Sequence, residues 1–330
     1  MAHPDDRPST SPPDAPDDGP DERPAEVDGL AWAQDFGARY GDGLGLGVSL
    51  GGGGVFFVAW QVAYLSELAD RGIELRGADR IVGTSAGSLV AALLEAGSLG
   101  RFHRELGLLA KVPQVVGALA PSGDLHPSQT RAVELFRDAT DAEPEVIVAI
   151  GHAALAAQTP AESVMARNVG LILVSRRWPS AGLHITAVDC FTGERCVISK
   201  AASVRPARAV AASSAVPGLF APQSIGDRRC MDGGVSGSGT HLDLLAGASR
   251  VVVLALSDGS DVGQGMMTVA PGSSEAELAA LEAAGSRVFR RVPEAVDPAA
   301  LMDPTAVPQA IEMGRRQAAA DADELRAFLI

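Results

Sequence analysis

The stretch Leu44-Gly-Leu-Gly-Val-Ser-Leu-Gly-Gly-Gly-Gly54 decides the fold class of this chain. An apolar run that ends in a glycine cluster predicts a buried strand followed by a tight turn. From Val55 to Arg71 the apolar residues recur at helical spacing, and Gly72 ends the predicted helix. A strand that passes through a glycine turn into a helix is typical of parallel α/β sheets.

A second strand and helix follow the first pair. Residues Asp79–Val82 predict a short strand, and Thr84–Ala96 predict a helix that begins at a tight turn and ends at Gly97. This alternation predicts a mostly parallel sheet. Further strands are predicted over residues 183–189, 195–199, 225–234 (a pair around a turn) and 251–256, further helices over 146–157, 204–212, 275–288 and 304–330, and a strand or helix end over 169–174.

Charge divides the chain into two parts. Residues 1–28 contain nine acidic residues and two arginines and are rich in proline, so this segment cannot bury apolar surface. We expect a disordered acidic tail over residues 1–29. Residues 30–330 are expected to form one domain, with its core at about 44–257 and C-terminal helices at about 275–330.

Composition excludes several classes of protein. Hydrophobic residues make up 46% of the 330 residues, which excludes disorder throughout and allows a large core. The net charge of −14 argues against a nucleic-acid binder, and the three cysteines exclude a disulfide scaffold. Because the sequence shows neither a secretory signal nor an apolar run of about 20 residues, we expect a soluble, cytoplasmic protein.

The first candidate site is Gly83-Thr-Ser85-Ala-Gly87, between a predicted strand and a predicted helix. A Gly-x-Ser-x-Gly turn in this context puts the serine on a strained corner, with its hydroxyl exposed at the carboxyl end of the sheet. The N-terminus of the following helix stabilises negative charge near that hydroxyl. Ser85 is therefore a candidate nucleophile, although a small-residue turn without chemistry has the same pattern.

The glycine run Gly51–Gly54 is the second candidate site. Glycines allow the backbone to approach a ligand closely, so these N–H groups can form an oxyanion hole or hold a phosphate. A nucleotide site is disfavoured, because no Gly-Lys-Ser/Thr follows and Phe56 stands where a G-x-G-x-x-G pattern needs its last glycine. An ordinary strand–helix turn needs one glycine, and four exceed that need.

The third candidate site is Asp232-Gly233-Gly234. Asp-Gly is a strong hairpin signal, so the bland interpretation is a turn. A carboxylate on a short loop can also accept the proton of a catalytic serine when burial or its neighbours tune its basicity. The residues leave both interpretations open, and the second one is a Ser–Asp dyad without histidine.

These three elements occur in an order that resembles the patatin-like phospholipase family. The resemblance extends from about Leu44 to Ser257, and the third of its four blocks contains no chemistry that the residues alone reveal. The blocks are Leu50-Gly-Gly-Gly-Gly-Val-Phe-Phe-Val-Ala-Trp60, Ile81-Val-Gly-Thr-Ser-Ala-Gly-Ser88, Ala212-Ser-Ser-Ala-Val-Pro-Gly-Leu-Phe220 and Met231-Asp-Gly-Gly-Val235.

The resemblance implies a three-layer α/β/α fold with a mostly parallel central sheet. It implies hydrolysis of acyl esters, often of phospholipids or other lipids, with Ser85 as nucleophile and Asp232 as base. It implies no metal and no cofactor; the expected partners are a lipid ester and, at most, a peripheral membrane contact. The implied oxyanion loop is Gly52, Gly53 and Gly54, and the flanking motif glycines are Gly83, Gly87, Gly233 and Gly234.

One segment departs from the family pattern. The family's glycine loop commonly continues into an arginine or lysine followed by glycine, whereas this chain has Val55-Phe56-Phe57. The missing cation removes electrostatic help for anionic substrates, and the two phenylalanines can crowd the oxyanion hole or form an apolar wall for an acyl chain. The alternative function is therefore a catalytically weak member that binds lipid or a protein partner.

Two histidines offer alternatives. His241 follows Asp232 by nine residues and is the alternative base, in a Ser–Asp–His triad, although a solvent-facing histidine at a helix start is the expected state. His184 with Cys190 and Cys196 offers a zinc site, which the absence of any Cys-x-x-Cys disfavours. Structural roles are therefore expected for His184, and buried free thiols for the cysteines.

Three apolar features have two interpretations each. Trp60 and Phe220 fit either the core or an acyl pocket. Residues 146–157 fit either a core helix or a lid over the site.

Overall fold

The computed structural model describes residues 30–109, 124–257 and 272–330. The expected acidic tail lies outside these ranges. The strands are β1 Leu46–Leu50, β2 Arg80–Thr84, β3 Leu183–Asp189, β4 Arg195–Ile198, β5 Gln223–Ile225, β6 Arg228–Asp232, β7 Arg250–Leu254 and β8 Arg287–Arg291. The helices are α1 Gly54–Asp70, α2 Ala86–Glu95, α3 Leu99–Leu109, α4 Pro127–Asp138, α5 Pro144–Ala156, α6 Glu162–Leu173, α7 Pro206–Ser213, α8 Ser273–Ala283 and α9 Val307–Leu329.

The strands of the described ranges form one sheet in the order β5-β6-β3-β2-β1-β7-β8, with β4 paired to β3 beside this path. Strands β3, β2, β1, β7 and β8 are mutually parallel. The pairs β3–β4, β3–β6 and β5–β6 are antiparallel. Parallel neighbours need a crossover, and α1 returns the chain from the end of β1 toward the start of β2. The predicted mostly parallel sheet is confirmed.

Both faces of the sheet are buried, as the alternation along β7 shows. Val252 and Leu254 pack in the cluster that contains α1, α2, α3, α7 and α9, whereas Val251 and Val253 pack on the opposite face. That opposite face is covered by α8 and by the loop around Leu245, and near the antiparallel strands by α4 and α5. Helices therefore flank the sheet on both sides, which confirms the predicted three layers.

The register along β3 places the ends of two other strands against each other. Strand β4 pairs with residues 185–188 and occupies one edge of β3. On the other edge β2 pairs with residues 183–186 and β6 with residues 187–189. Strand β2 runs parallel to β3 and ends opposite Thr186, whereas β6 runs antiparallel and ends opposite Ala187. The carboxyl ends of β2 and β6 therefore meet.

The predicted helix over residues 275–288 is wrong in its last part. Helix α8 ends at Ala283, and Arg287–Arg291 forms the strand β8 at the edge of the sheet, beside β7. Phe289 is the buried residue of this strand. Charged side chains are typical of edge strands because they oppose further pairing, and here they hide the apolar alternation that predicts a strand.

Two ambiguous segments have a single interpretation in the structure. Helix α5 packs Ile147, Ile150 and Ala154 into a cluster with Val188 of the sheet, so it is a core helix. The segment 169–174 is the end of helix α6.

Within the described ranges, no helix combines the length and the apolar character that a bilayer crossing requires.

Candidate active site

Ser85 lies in the turn between β2 and α2, at the carboxyl end of the sheet. Its backbone has φ 48° and ψ −117°, a conformation that non-glycine residues rarely adopt and that costs energy. This tight turn requires a glycine at position 87, because a Cβ on Gly87 would lie 1.8 Å from the carbonyl oxygen of Leu50. The result is a serine displayed at the N-terminus of α2, which favours negative charge at that position.

Asp232 is the last residue of β6 and faces Ser85 across the junction of the two strands. The Ser85 hydroxyl donates a hydrogen bond to Asp232 Oδ2 at 2.7 Å. The N–H of Gly234 donates to the other carboxylate oxygen at 2.9 Å, so both oxygens of the carboxylate have a donor. The structure thus brings together the two residues that the sequence analysis identified separately, which lie 147 positions apart.

The environment of Asp232 favours its neutral form. Asp232 is 3% exposed. Burial raises the pKa of its carboxyl to about 6, while the hydrogen bonds from Ser85 and Gly234 lower that pKa in part. A carboxylate with a pKa nearer to neutrality is a better proton acceptor from a hydroxyl than an ordinary aspartate.

The glycine loop approaches Ser85 from the end of β1. A Cβ on Gly52 would lie 3.3 Å from the Cβ of Ser85, so only a glycine leaves the space between them open. The N–H of Gly52 donates to the carbonyl oxygen of Gly239 at 3.2 Å. The N–H groups of Gly53 and Gly54 have no acceptor among the described residues. Of the three glycines of the expected oxyanion loop, two therefore present free donors and one is hydrogen-bonded.

An apolar cavity of about 200 Å³ opens at Ser85 and Asp232. Among the described residues that line it, Asp232 is the only ionisable one. Its apolar wall consists of Val55, Val58, Ala86, Leu89, Phe102, Leu106, Phe136, Met165, Val169, Ile172, Val210, Val216, Leu219, Phe220, Pro298, Ala299, Leu301 and Met302. A cavity of this character suits a hydrocarbon chain whose polar end reaches the serine.

The sequence matches one family model. A model described as patatin-like phospholipase aligns with residues 48–245, more than half of the chain. The chain belongs to the patatin-like phospholipase family. At the level of the family, this membership places it among the lipid ester hydrolases. No protein of curated function matches the sequence.

The chain is also similar to solved structures at low sequence identity. VipD from Legionella pneumophila is 13% identical, and the match covers 85% of this chain and 67% of VipD, with a TM-score of 0.40. The type III effector protein ExoU is 16% identical, with 83% and 53% covered and a TM-score of 0.30. ExoU in its heterodimeric complex with SpcU from Pseudomonas aeruginosa is 18% identical, with 84% and 52% covered and a TM-score of 0.29. The chain spans about half the length of these ExoU chains.

The segment that departs from the family pattern does not block the site. Phe56 and Phe57 are buried in the core and do not line the cavity, and Phe57 stacks on Trp60 with ring centroids 5.4 Å apart. The expectation that they form the acyl wall is wrong, because their positions on α1 point away from the cavity while Val55 and Val58 line it. Of the two ambiguous aromatic residues, Trp60 belongs to the core, and Phe220 lines the cavity.

His241 is buried, and the expectation of a solvent-facing histidine is wrong. The guanidinium of Arg195 lies 3.3 Å from His241 Nδ1 and forms a buried ion pair with Asp243. Burial first, and then the Arg195 cation, hold the pKa of His241 well below its usual range. No hydrogen bond joins His241 to Ser85 or Asp232 within the described ranges. Its place beside Arg195 does not suit the triad alternative.

The zinc alternative has no ligand set in the described part of the chain, where no three His, Cys, Asp or Glu side chains form a metal-binding group. His184 instead contacts the Gly182 carbonyl oxygen through Nδ1 at 3.0 Å. Burial lowers the pKa of His184 to about 4. Cys190, Cys196 and Cys230 are buried free thiols.

Sequence reasoning missed a set of residues that hold the turn of Ser85. The N–H of Ser85 donates to Ser213 Oγ at 2.9 Å, and Ser214 Oγ donates to the Ser85 carbonyl oxygen at 3.2 Å. The N–H of Asp232 donates to the carbonyl oxygen of Ala215 at 3.0 Å. Ser213, Ser214 and Ala215 all belong to the block 212–220, which supports the family resemblance but reveals no chemistry in the sequence. Its two adjacent hydroxyls were the available signal.

Proposed function

We propose that this chain hydrolyses carboxylic esters of lipids, phospholipids among them, through Ser85 as nucleophile and Asp232 as general base. The observation that carries the proposal is the hydrogen bond of 2.7 Å between Ser85 Oγ and Asp232 Oδ2 at the mouth of the apolar cavity. A nucleophile bonded to its base, beside space for an acyl chain, is the arrangement that acyl transfer requires.

In the first half of the proposed reaction, the acyl chain enters the cavity and its ester carbonyl reaches Ser85. Asp232 accepts the hydroxyl proton as Ser85 Oγ bonds to the carbonyl carbon. The N–H groups of Gly53 and Gly54 stabilise the oxyanion, and the helix dipole of α2 adds to this. The alcohol leaves with the proton from Asp232, and the acyl group remains on Ser85.

In the second half, water replaces the alcohol. Asp232 takes a proton from that water, whose oxygen bonds to the acyl carbonyl carbon. The same amides hold the second oxyanion. Its collapse breaks the bond to Ser85 Oγ, which regains the proton from Asp232, and the fatty acid leaves. We include a peripheral contact with a lipid surface in this proposal, because a lipid ester has to leave an assembly of lipids to enter the cavity.

The test is labelling with a fluorophosphonate probe followed by peptide mass mapping. The probe reports an activated serine without the natural substrate. We expect modification at Ser85 that is lost in Asp232→Asn. Folded protein that is not labelled, yet binds lipid equally well with Ser85→Ala, would replace the proposal by the alternative of a catalytically weak lipid-binding member.

A further inference from the structure

The turn that carries Ser85 leaves two backbone groups without strand partners, the N–H and the carbonyl oxygen of Ser85 itself. The carbonyl oxygen accepts hydrogen bonds from three donors: the N–H of Ser88, the hydroxyl of Ser88 and the hydroxyl of Ser214. Among the described residues, the N–H donates to Ser213 Oγ alone. The carbonyl oxygen of Ser85 therefore has three hydrogen-bond donors, whereas its N–H depends on one acceptor.

Ser213 is the last residue of α7, and its side chain is fully buried. It does not line the cavity, so it touches neither the acyl chain nor the reacting atoms of the proposed mechanism. Two residues further on, the carbonyl oxygen of Ala215 accepts the N–H of Asp232. The end of α7 thus contacts the nucleophile through a side chain and the base through the backbone.

We propose that Ser213 is a positioning residue that holds Ser85 in its strained conformation and so sets the contact between the Ser85 hydroxyl and Asp232; this inference rests on the proposed function. Without the Ser213 hydroxyl, the Ser85 N–H is left without an acceptor among the described residues in a partly buried turn, which is costly, and the turn gains by relaxing. A shift of the nucleophile by a fraction of an ångström is enough to lower the rate of a reaction that depends on alignment.

The test compares variants at three serines. Ser213→Ala is expected to slow fluorophosphonate labelling of Ser85 by about ten- to a hundredfold with little change in KM for an ester substrate. Ser213→Cys, which keeps a weak acceptor at nearly the same volume, should fall between the wild type and alanine. Ser214→Ala, which also removes a hydroxyl from the cavity lining, should slow labelling less than Ser213→Ala does, because two other donors remain on the Ser85 carbonyl oxygen. Ser66→Ala removes a buried hydroxyl of α1 that has no hydrogen-bond partner among the described residues, and its labelling should match the wild type.

Two further readouts separate positioning from simple loss of stability. In Ser213→Ala the amide hydrogen of Ser85 should exchange at least about tenfold faster, while the amides within β2 keep their protection. The acidic limb of the labelling rate should move to higher pH, because a displaced Ser85 no longer lowers the pKa of Asp232 through its hydrogen bond. A variant that is only less stable would change neither.

The outcomes distinguish a failure of this inference from a failure of the proposed function. Labelling of Ser213→Ala at the wild-type rate, with an unmoved acidic limb, overturns the inference and leaves the Ser85–Asp232 mechanism intact. An unlabelled wild type, combined with faster exchange of the Ser85 amide in Ser213→Ala, rejects the proposed function. In that case Ser213 is a structural support of the turn, and its catalytic positioning role is rejected too.

Discussion

Two buried aspartates, eleven positions apart, have opposite surroundings. Asp232 receives hydrogen bonds from a hydroxyl and an amide, both neutral, at the edge of the cavity. Asp243 receives both terminal nitrogens of the Arg195 guanidinium at 2.6 and 2.7 Å, away from the cavity. A buried carboxylate without a cation is energetically costly, and it is the one that lies beside the serine. In the proposed mechanism, the absence of a cationic partner among the described residues keeps Asp232 available as a proton acceptor.

The largest difference between the two aspartates should appear when the charge of Asp232 is removed. We expect Ser85→Ala to abolish hydrolysis and Asp232→Asn to lower its rate by about a thousandfold or more. The free energy of unfolding of Asp232→Asn near pH 8 should be unchanged or higher by about 1–3 kcal/mol, because the amide removes a buried charge without a cationic partner. Ester hydrolysis and urea unfolding measure the two effects. Full activity of Asp232→Asn together with an inactive His241→Ala would assign the base to His241.

Removing Asp243 should mainly lower the free energy of unfolding, whereas removing the charge of Asp232 should mainly lower activity. Asp243→Ala leaves the Arg195 guanidinium buried without its carboxylate, so we expect a loss of about 3–5 kcal/mol in the free energy of unfolding. The double variant Arg195→Met with Asp243→Leu should recover most of that loss, because no charge remains unpaired. Urea unfolding of the three proteins is the measurement. A loss below about 1 kcal/mol in the single variant would show that the pair is not a structural counterpart of Asp232.

The raised pKa of Asp232 should appear in the pH dependence of both labelling and stability. Labelling of Ser85 should fall about tenfold per pH unit below about pH 6, because protonated Asp232 cannot accept a proton. The folded-state pKa of Asp232, about 6, lies above its ordinary value of 3.8, so folding favours the neutral acid. Its contribution to stability is therefore largest below pH 3.8 and is lost as the pH rises through 6. Asp232→Asn should remove this slope from unfolding curves measured between pH 4 and 7; an unchanged slope would contradict the assignment.

Substitution of Glu277 should have the smallest effect on the labelling of Ser85, and it tests whether a raised pKa alone affects the reaction. Glu277 is buried on α8, away from the cavity, and accepts hydrogen bonds from Thr240 and from the N–H of Leu242. Burial raises its pKa, as it does for Asp232. Because glutamine keeps an acceptor for these donors, Glu277→Gln should leave the labelling rate and its acidic limb within about twofold of the wild type. A shifted limb would show that a raised pKa alone, without contact to Ser85, affects the reaction.

Local patterns predicted the parts of the fold that depend on neighbouring residues. The β1–α1 and β2–α2 units follow from apolar periodicity and glycine turns, and so does the location of Ser85 on a strained corner. The motif order predicted Ser85 and Asp232 as candidates, and the fold brings them into contact. Strand β8 was missed because its arginines obscure the alternation.

Contacts between distant segments could not be predicted in the same way. The burial of His241 depends on Arg195, 46 positions away, and the support of the Ser85 amide depends on Ser213, 128 positions away. Nothing in the residues around His241 or Ser85 encodes these partners. The hydrogen bond of the Gly52 N–H is another contact of this kind, because its acceptor Gly239 lies on a loop that follows Asp232.

Strands β2 and β6 meet along one edge of β3, so their pairing with β3 sets the distance between the residues at their ends. Thr186 and Ala187 are consecutive, so the spacing of Ser85 and Asp232 is set by one step of β3. A slip of β6 by a single residue would move Asp232 by about 3.3 Å and turn its side chain to the other face. The segment between β3 and β6 contains the end of α7, which contacts Ser85 through Ser213 and Asp232 through Ala215. A change in the length of this segment therefore has to leave unchanged both these contacts and the pairing of three residues at the end of β6.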